Sequence, residues 1–413
     1  MGRYHKRRMS PKEKTRIKRA IDDKINFFAP TISPAPKNVE RNEIESLYEA
    51  MKFYRDAGVE EVIIQPKYMG SYCDIYLHRD INKSRFFSRR GYPVRLPEGL
   101  LIGAVQNMWD HFFGPQSIGF LNNQIEMMII QSELMPWSAL GRGLVERDFG
   151  GYKISHATHH SYIDRTGLNK EVQGFLQDPV YHEFLIDKGT MSRKELKAKY
   201  KPHVVSHYDA LAKISVPDPV DYKKGIDIYT EQVERYGAPG EVHFKAFNIL
   251  KILKTDGEEI IPDDHKMFNM VVESGNPGAM SVNVNTEPDV FEKGVAAAYF
   301  FYETLISAPL HMEGIIVKPT EKWNSTLVPM FKVRSDYYLQ MIYGVNFLAN
   351  YNYYLGRRNT NRKMRASLNQ WNIAQALLRI PTKDISPDNE EYVKLVKARI
   401  MEEDFEKTID SRL

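Results

Sequence analysis

Short apolar runs of strand length lie on both sides of a long polar stretch that has none, and this arrangement limits the possible folds more than any other feature. Val62-Ile63-Ile64 is a short buried run, residues 72–78 alternate with the period of a half-buried strand, residues 85–94 contain a Gly-Tyr-Pro turn, and residues 125–130 are again apolar. Residues 141–240 are polar, with helical patterning such as that of residues 192–200, and strand patterns return at residues 242–250, 315–317 and 330–333. The expected chain is α+β, with a β-rich core (residues 27–140 and 241–335) split by a helical insertion module (residues 141–240).

Helices flank this core. Ile44, Leu47, Tyr48, Met51 and Tyr54 recur at three- and four-residue spacing, and Gly58 can end that helix. Residues 336–413 read as a C-terminal helical module. Met364, Leu368, Trp371 and Leu378 share a face, and Ser386-Pro387 supplies an N-cap and first turn ahead of Val393, Val396 and Ile400. Residues 1–26 form a basic arm with some helical character: within residues 1–20, nine Lys or Arg face the single acid Glu13, against a whole-chain net charge of only +4. Such an arm suits a polyanionic partner or a solubilising tail. No run of eighteen apolar residues is present and no apolar segment follows the basic start, so neither a membrane span nor a signal peptide is expected. The single cysteine, Cys73, excludes an internal disulfide and a cysteine-only zinc site, and fits a reducing, cytoplasmic setting.

The chemistry is concentrated in segments that follow one another along the core. Gln65-Pro66-Lys67-Tyr68-Met69-Gly70-Ser71 sets a lysine at the end of a buried strand and opens a tight turn at Gly70. A lysine amine attacks well only when burial or neighbouring cations lower its pKa, and glycine lets the backbone approach a ligand. On its own a Lys-x-x-Gly turn is commonplace. Downstream, Ser88-Arg89-Arg90-Gly91-Tyr92 puts cations on a turn, and Glu133-Leu134-Met135-Pro136-Trp137 follows a strand with a carboxylate. His243-Phe244-Lys245-Ala246-Phe247 offers aromatic faces. Glu313-Gly314-Ile315-Ile316-Val317-Lys318-Pro319 begins with a carboxylate and ends with a cation, and Phe331-Lys332-Val333-Arg334 carries two cations on one strand face.

In this order the segments resemble the covalent nucleotidyltransferase superfamily of ATP-dependent ligases and mRNA capping enzymes. Their wording is most similar to the ligase domain of bacterial polynucleotide kinase-phosphatase RNA repair enzymes. The likeness extends over residues 27–413, including Tyr338-Leu339, Ile342-Tyr343-Gly344, Gly356-Arg357-Arg358 and Asp410-Ser411-Arg412-Leu413. It implies the ligase-type nucleotidyltransferase fold of antiparallel sheets, with a helical insertion and a C-terminal helical module. It further implies that Lys67 attacks the α-phosphate of ATP, forms a lysyl-adenylate, passes AMP to a 5′-phosphate on RNA, and seals that end to a 3′-hydroxyl. Lys332 and Arg334 would neutralise phosphate charge and Lys318 would assist them. Arg89 would contact ribose or phosphate, Glu133 would accept from ribose hydroxyls, and Phe247, or else Phe244, would stack on adenine. Gln65 would read the adenine edge, and Glu313 would hold Mg2+ or Mn2+. The implied partners are RNA ends, a kinase-phosphatase and an RNA 3′-end methyltransferase. No Gly-x-x-x-x-Gly-Lys-[Ser/Thr] loop is present, so end healing would come in trans.

One position departs from the family, which has an arginine two residues after the motif glycine; here it is Tyr72. An adenylate-binding RNA scaffold with weak or partner-dependent sealing is therefore the alternative to a ligase. A DNA ligase or guanylyltransferase would carry a small β-barrel after the strand that here holds Lys332 and Arg334, where this chain has helical patterning. Outside the core, His156, His159 and His160 have spacing compatible with metal binding or with a solvated helix face. The tyrosines at 351, 353 and 354 suit base stacking or packing, and Arg357, Arg358, Arg362, Lys363 and Arg365 suit RNA phosphates.

Overall fold

The structure, a computed structural model of the chain, describes residues 9–114, 124–141, 146–211, 218–265, 278–285, 287–307, 310–345, 347, 350–357 and 359–406. Four cations of the basic arm (Arg3, Lys6, Arg7 and Arg8), Arg358 and the segment 410–413 lie outside it. The chain divides into two compact units. The first comprises Met1–Leu144, Tyr236–Tyr338 and Asn352–Leu413; the second comprises Val145–Arg235 and Leu339–Tyr351. Residues 339–351, expected in the C-terminal module, thus group with the helical insertion.

The first unit is built on two five-stranded sheets. Its strands are β1 (Ser33–Pro34), β2 (Glu61–Lys67), β3 (Ser71–His78), β4 (Arg85–Ser88), β5 (Ile125–Met135), β6 (His243–Lys254), β7 (Glu259–Ile260), β8 (Met280–Asn283), β9 (Gly314–Pro319) and β10 (Phe331–Arg334). One sheet has the order β1-β10-β9-β2-β8 and is antiparallel except for the β1–β10 pair; the other, β4-β3-β5-β6-β7, is antiparallel throughout. Strand β2 lies between β9 and β8, and Val62, Ile63 and Ile64 are all buried rather than alternating.

Helices Leu47–Asp56 and Pro288–Ile306 pack on the first sheet, where Leu47, Met51, Tyr54 and Phe291 meet Ile64, Val317 and Phe331. Ser46 caps the first of them. Helix Glu98–Phe113 covers one face of the second sheet through Leu101, Val105 and Met108. The other face of that sheet meets three helices, Pro11–Asp22, Asn361–Leu378 and Glu390–Glu406. There Ile17, Ile21, Trp371, Leu377, Tyr392 and Val396 surround Tyr76, Ile129 and Leu250. Burial of each such aliphatic side chain contributes about 1.5–3 kcal/mol.

From Met9 onward, one face of the basic arm is therefore part of the core. Ser10 and Glu13 form a capping box and Pro11 takes the first helical position. The cations mask a stripe of Ile17, Ala20 and Ile21, and Arg16 is buried in a two-pronged pair with Glu403 at 2.6 and 2.8 Å. The last helix also starts later than Ser386-Pro387 suggests: Asn389 accepts from the amide of Tyr392 at 3.0 Å and acts as the cap.

The second unit is helical, with Gly151–Thr166, Leu168–Leu176, Pro179–Thr190, Arg193–Tyr200, Pro202–Leu211 and Pro219–Gly237 as its main elements. Tyr181, Phe184, Leu196 and Val205 form a core within it. The three clustered histidines are engaged by neighbours: His156 and His159 reach the Tyr222 hydroxyl at 2.8 and 3.3 Å, and His160 reaches the Pro219 carbonyl at 3.0 Å. Among the described residues, no group of three or more His, Cys, Asp or Glu side chains is arranged to hold a metal ion. No described helix is long and apolar enough to cross a membrane.

Candidate active site

Lys67 is the last residue of β2 and lies opposite Gly314 at the start of β9. This pairing brings Glu313 beside it, and the Lys67 Nζ stands 2.7 Å from Glu313 Oε2. The turn after Lys67 lies directly on β5. A Cβ at Gly70 would come within 2.5 Å of the Leu134 carbonyl oxygen, so only glycine fits, and the Gly70 amide donates to Glu133 Oε1 at 3.2 Å. Glu133 thereby joins Glu313 around the lysine. Burial pushes the Glu133 carboxyl up to about 7; Lys67 and the Gly70 amide oppose that rise, while Glu313 adds to it.

These groups border a cavity of about 330 Å³, the size of a small-ligand site. Gln65, Lys67, Arg89, Glu133, Phe247, Lys318 and Lys332 all line it. Its two long walls come from different sheets. Gln65, Lys67, Ile316, Lys318 and Lys332 belong to β2, β9 and β10, and Tyr72, Gln131, Glu133, Phe247 and Asn248 belong to β3, β5 and β6. Burial pushes Lys332 well below the ordinary lysine range, helped by the neighbouring Arg334 guanidinium and opposed by Glu45. Lys318, 2 % exposed, is shifted the same way by burial and by Lys322. An anionic ligand would favour the charged form of both.

Arg334 occupies a different environment from Lys332. It is buried against Glu45, with Nε 3.0 and 3.1 Å from the two carboxylate oxygens and its backbone amide 2.9 Å from Oε2. It is not among the cavity-lining residues, and its pairing makes it a support for β10 rather than an open phosphate contact. The two aromatic candidates separate as clearly. Phe244 is 2 % exposed and stacked on Phe86 with centroids 5.4 Å apart, whereas Phe247 lines the cavity 6.1 Å from the Tyr72 ring.

The turn carrying Arg89 is braced from the N-terminal helix. Arg16 donates to the Arg90 carbonyl through Nε at 3.1 Å and Nη2 at 2.6 Å. Gly91 adopts φ +72°, and a Cβ there would meet the Phe28 ring at 2.5 Å.

Several cavity residues carry no sequence signal for a site. Thr31, Asn248, His265 and Trp371 line it, as does Lys363, which as a sequence reads like an RNA-phosphate contact but is buried here. Its helix neighbours Arg362 and Arg365 are exposed. Tyr72, at the family's arginine position, is tied into the second wall: its hydroxyl is 2.5 Å from Asp74 Oδ1 and accepts from Gln131 Nε2 at 2.6 Å. The Tyr72 phenol is pushed well above its usual range by burial and by Asp74.

Residues 17–92 match the family described as PNKP adenylyltransferase domain, ligase domain. No curated protein matches the chain. Among solved structures, a chain of the Pnkp1/Rnl/Hen1 RNA repair complex superposes with a TM-score of 0.88 and is 37% identical, covering 98% of this chain and 100% of that one. A chain of a second Pnkp1/Rnl/Hen1 complex structure gives 0.84 and 37%, covering 97% and 98%. Likeness of that extent, reached at more than a third identity along both chains, makes this protein a member of the ligase-domain adenylyltransferase family of RNA repair.

Proposed function

We propose that the chain is an ATP-dependent RNA ligase whose nucleophile is Lys67. The observation that carries this reading is the Lys67 amine at a cavity shared with Glu133, Phe247 and Lys332, 2.7 Å from the Glu313 carboxylate. The Lys67 nitrogen forms a bond to the α-phosphorus of ATP as the bond to the β-phosphate oxygen breaks, and pyrophosphate leaves. An oxygen of an RNA 5′-phosphate then displaces the lysine and takes AMP. A 3′-hydroxyl finally attacks that 5′-phosphorus, and AMP departs. The protein's part is positioning and charge neutralisation. Glu313 orients the amine, Lys332 and Lys318 face the phosphates, Arg89 meets ribose or phosphate, Glu133 accepts from ribose hydroxyls, and Phe247 stacks on the base.

Glu313 and Glu133 converge on Lys67 as hard oxygen donors, which fits Mg2+ or Mn2+ held by one or two carboxylates together with substrate phosphates. Glu313 would hold the ion, which when bound neutralises phosphate oxygens. By analogy with the complexes it resembles, the chain works beside a kinase-phosphatase and an RNA 3′-end methyltransferase that prepare the ends. A cytoplasmic setting suits its free, buried Cys73.

The test is radiolabelled ATP with purified protein and a divalent metal. Label should stay on the wild-type chain and be lost entirely from Lys67→Ala; label retained by that variant overturns the mechanism. The uncharged Tyr72 favours a second reading, an adenylate-binding scaffold. A 5′-phosphate, 3′-hydroxyl RNA separates the two, because a ligase joins these ends and a scaffold is labelled without joining them.

A further inference from the structure

Three side-chain amides line the cavity, those of Gln65, Gln131 and Asn248, and each spends an N–H on the protein. Gln65 Nε2 donates to the Phe247 carbonyl at 3.3 Å, and Asn248 Nδ2 donates to Gln131 Oε1 at 2.7 Å. The second contact is the end of a chain of hydrogen bonds. Gln131 Nε2 donates to the Tyr72 hydroxyl, which in turn donates to Asp74 Oδ1. Asp74 is 2 % exposed, and its Oδ1 accepts whether the group is ionised or carries a proton on its other oxygen. Each member of the chain is thereby oriented, and the amide of Asn248 is turned so that Oδ1 is left as its acceptor. That oxygen is buried and has no hydrogen-bond partner in the protein. A buried acceptor without a partner is destabilising, and a ligand donor removes that cost.

We infer that Asn248, oriented by Gln131, Tyr72 and Asp74, selects adenine over guanine by presenting its side-chain oxygen beside that of Gln65 to the 6-amino group of the base. An exocyclic amino group has two hydrogens and so suits two acceptors. Guanine has an oxygen at the same position, which would face both acceptors unpaired, and sites built to bond an N–H reject analogues that lack it strongly. The inference rests on the ligase reading, and it gives Tyr72 a role that arginine could not fill: an arginine has no acceptor for the Gln131 amide.

The experiment measures single-turnover labelling of the full chain by ATP, by purine riboside triphosphate, which lacks the 6-amino group, and by GTP. The wild type should prefer ATP to purine riboside triphosphate by about tenfold to a hundredfold, and more strongly to GTP. In Asn248→Ala the first preference should fall by about tenfold. Tyr72→Phe, which removes only the hydroxyl, should lower it as well and serves if Asn248→Ala does not fold. A wild type indifferent to the 6-amino group overturns the inference, as does a preference unchanged in either folded variant. Failure of the wild type to take label from any nucleotide instead removes the ligase reading beneath it.

Discussion

The two walls of the cavity differ in kind. The wall formed by β2, β9 and β10 presents the ammonium groups of Lys67, Lys318 and Lys332, whereas the wall formed by β3, β5 and β6 presents a carboxylate, two amides, a phenol and an aromatic face. Buried cations gain when a phosphate arrives, so in the proposed ligase the first wall is matched to the triphosphate. Oriented neutral groups discriminate by hydrogen-bond pattern rather than by charge, so in the proposed ligase the second wall, with Gln65 of the first, is matched to the nucleoside. The difference separates how tightly the site holds a nucleotide from which nucleotide it accepts.

Substitutions can break this division of labour. Lys332→Ala should slow lysine labelling by about 10²–10³-fold while leaving the preference between ATP and GTP intact; single-turnover labelling with both nucleotides would show it. Phe247→Ala should weaken ATP binding by about tenfold to a hundredfold through lost stacking, read as a raised concentration for half-maximal labelling. Phe244→Ala offers the control: it should cost about 3–5 kcal/mol of stability by opening the core, seen as a lower unfolding midpoint in denaturant, with no matching change in ATP affinity at a temperature where it is folded. The smallest effect concerns Glu133. Its carboxyl, raised to about 7, is protonated below that pH and then offers fewer acceptor sites to ribose hydroxyls. Nucleotide affinity should therefore rise by about tenfold or less as pH increases through 7, and Glu133→Gln should abolish that rise.

Much of this is legible where the signal is local. The end of β2 and the alternation along β3 are properties of a few consecutive residues, whereas Lys67 and Gly70 stand out from other turn residues only through the order of the later motifs and the family they resemble. The α+β class and the core split by helices follow from the same short-range patterns. Pairings between distant segments leave no such trace. Arg334 looks like Lys332 in sequence, yet Glu45, 289 residues away, neutralises it. Asn248 and His265 line the cavity because of strand register and a loop, neither of which has a compositional signature. The basic arm misleads for a related reason: charge density describes solvent-facing residues and conceals that Ile17, Ala20 and Ile21 share one helical stripe, with Arg16 reaching Glu403 from 387 residues away.

The cavity beside Lys67 is also lined by Lys363 and Trp371, on helix Asn361–Leu378. During synthesis, the nucleophile leaves the ribosome long before the residues that complete its chamber. A nascent chain carrying both sheets but not this helix holds the lysine and its carboxylates without an enclosed place to bind ATP. In the proposed ligase, uptake of the adenylate thus waits for this helix to be made, and a chain truncated before Asn361 should not take it up.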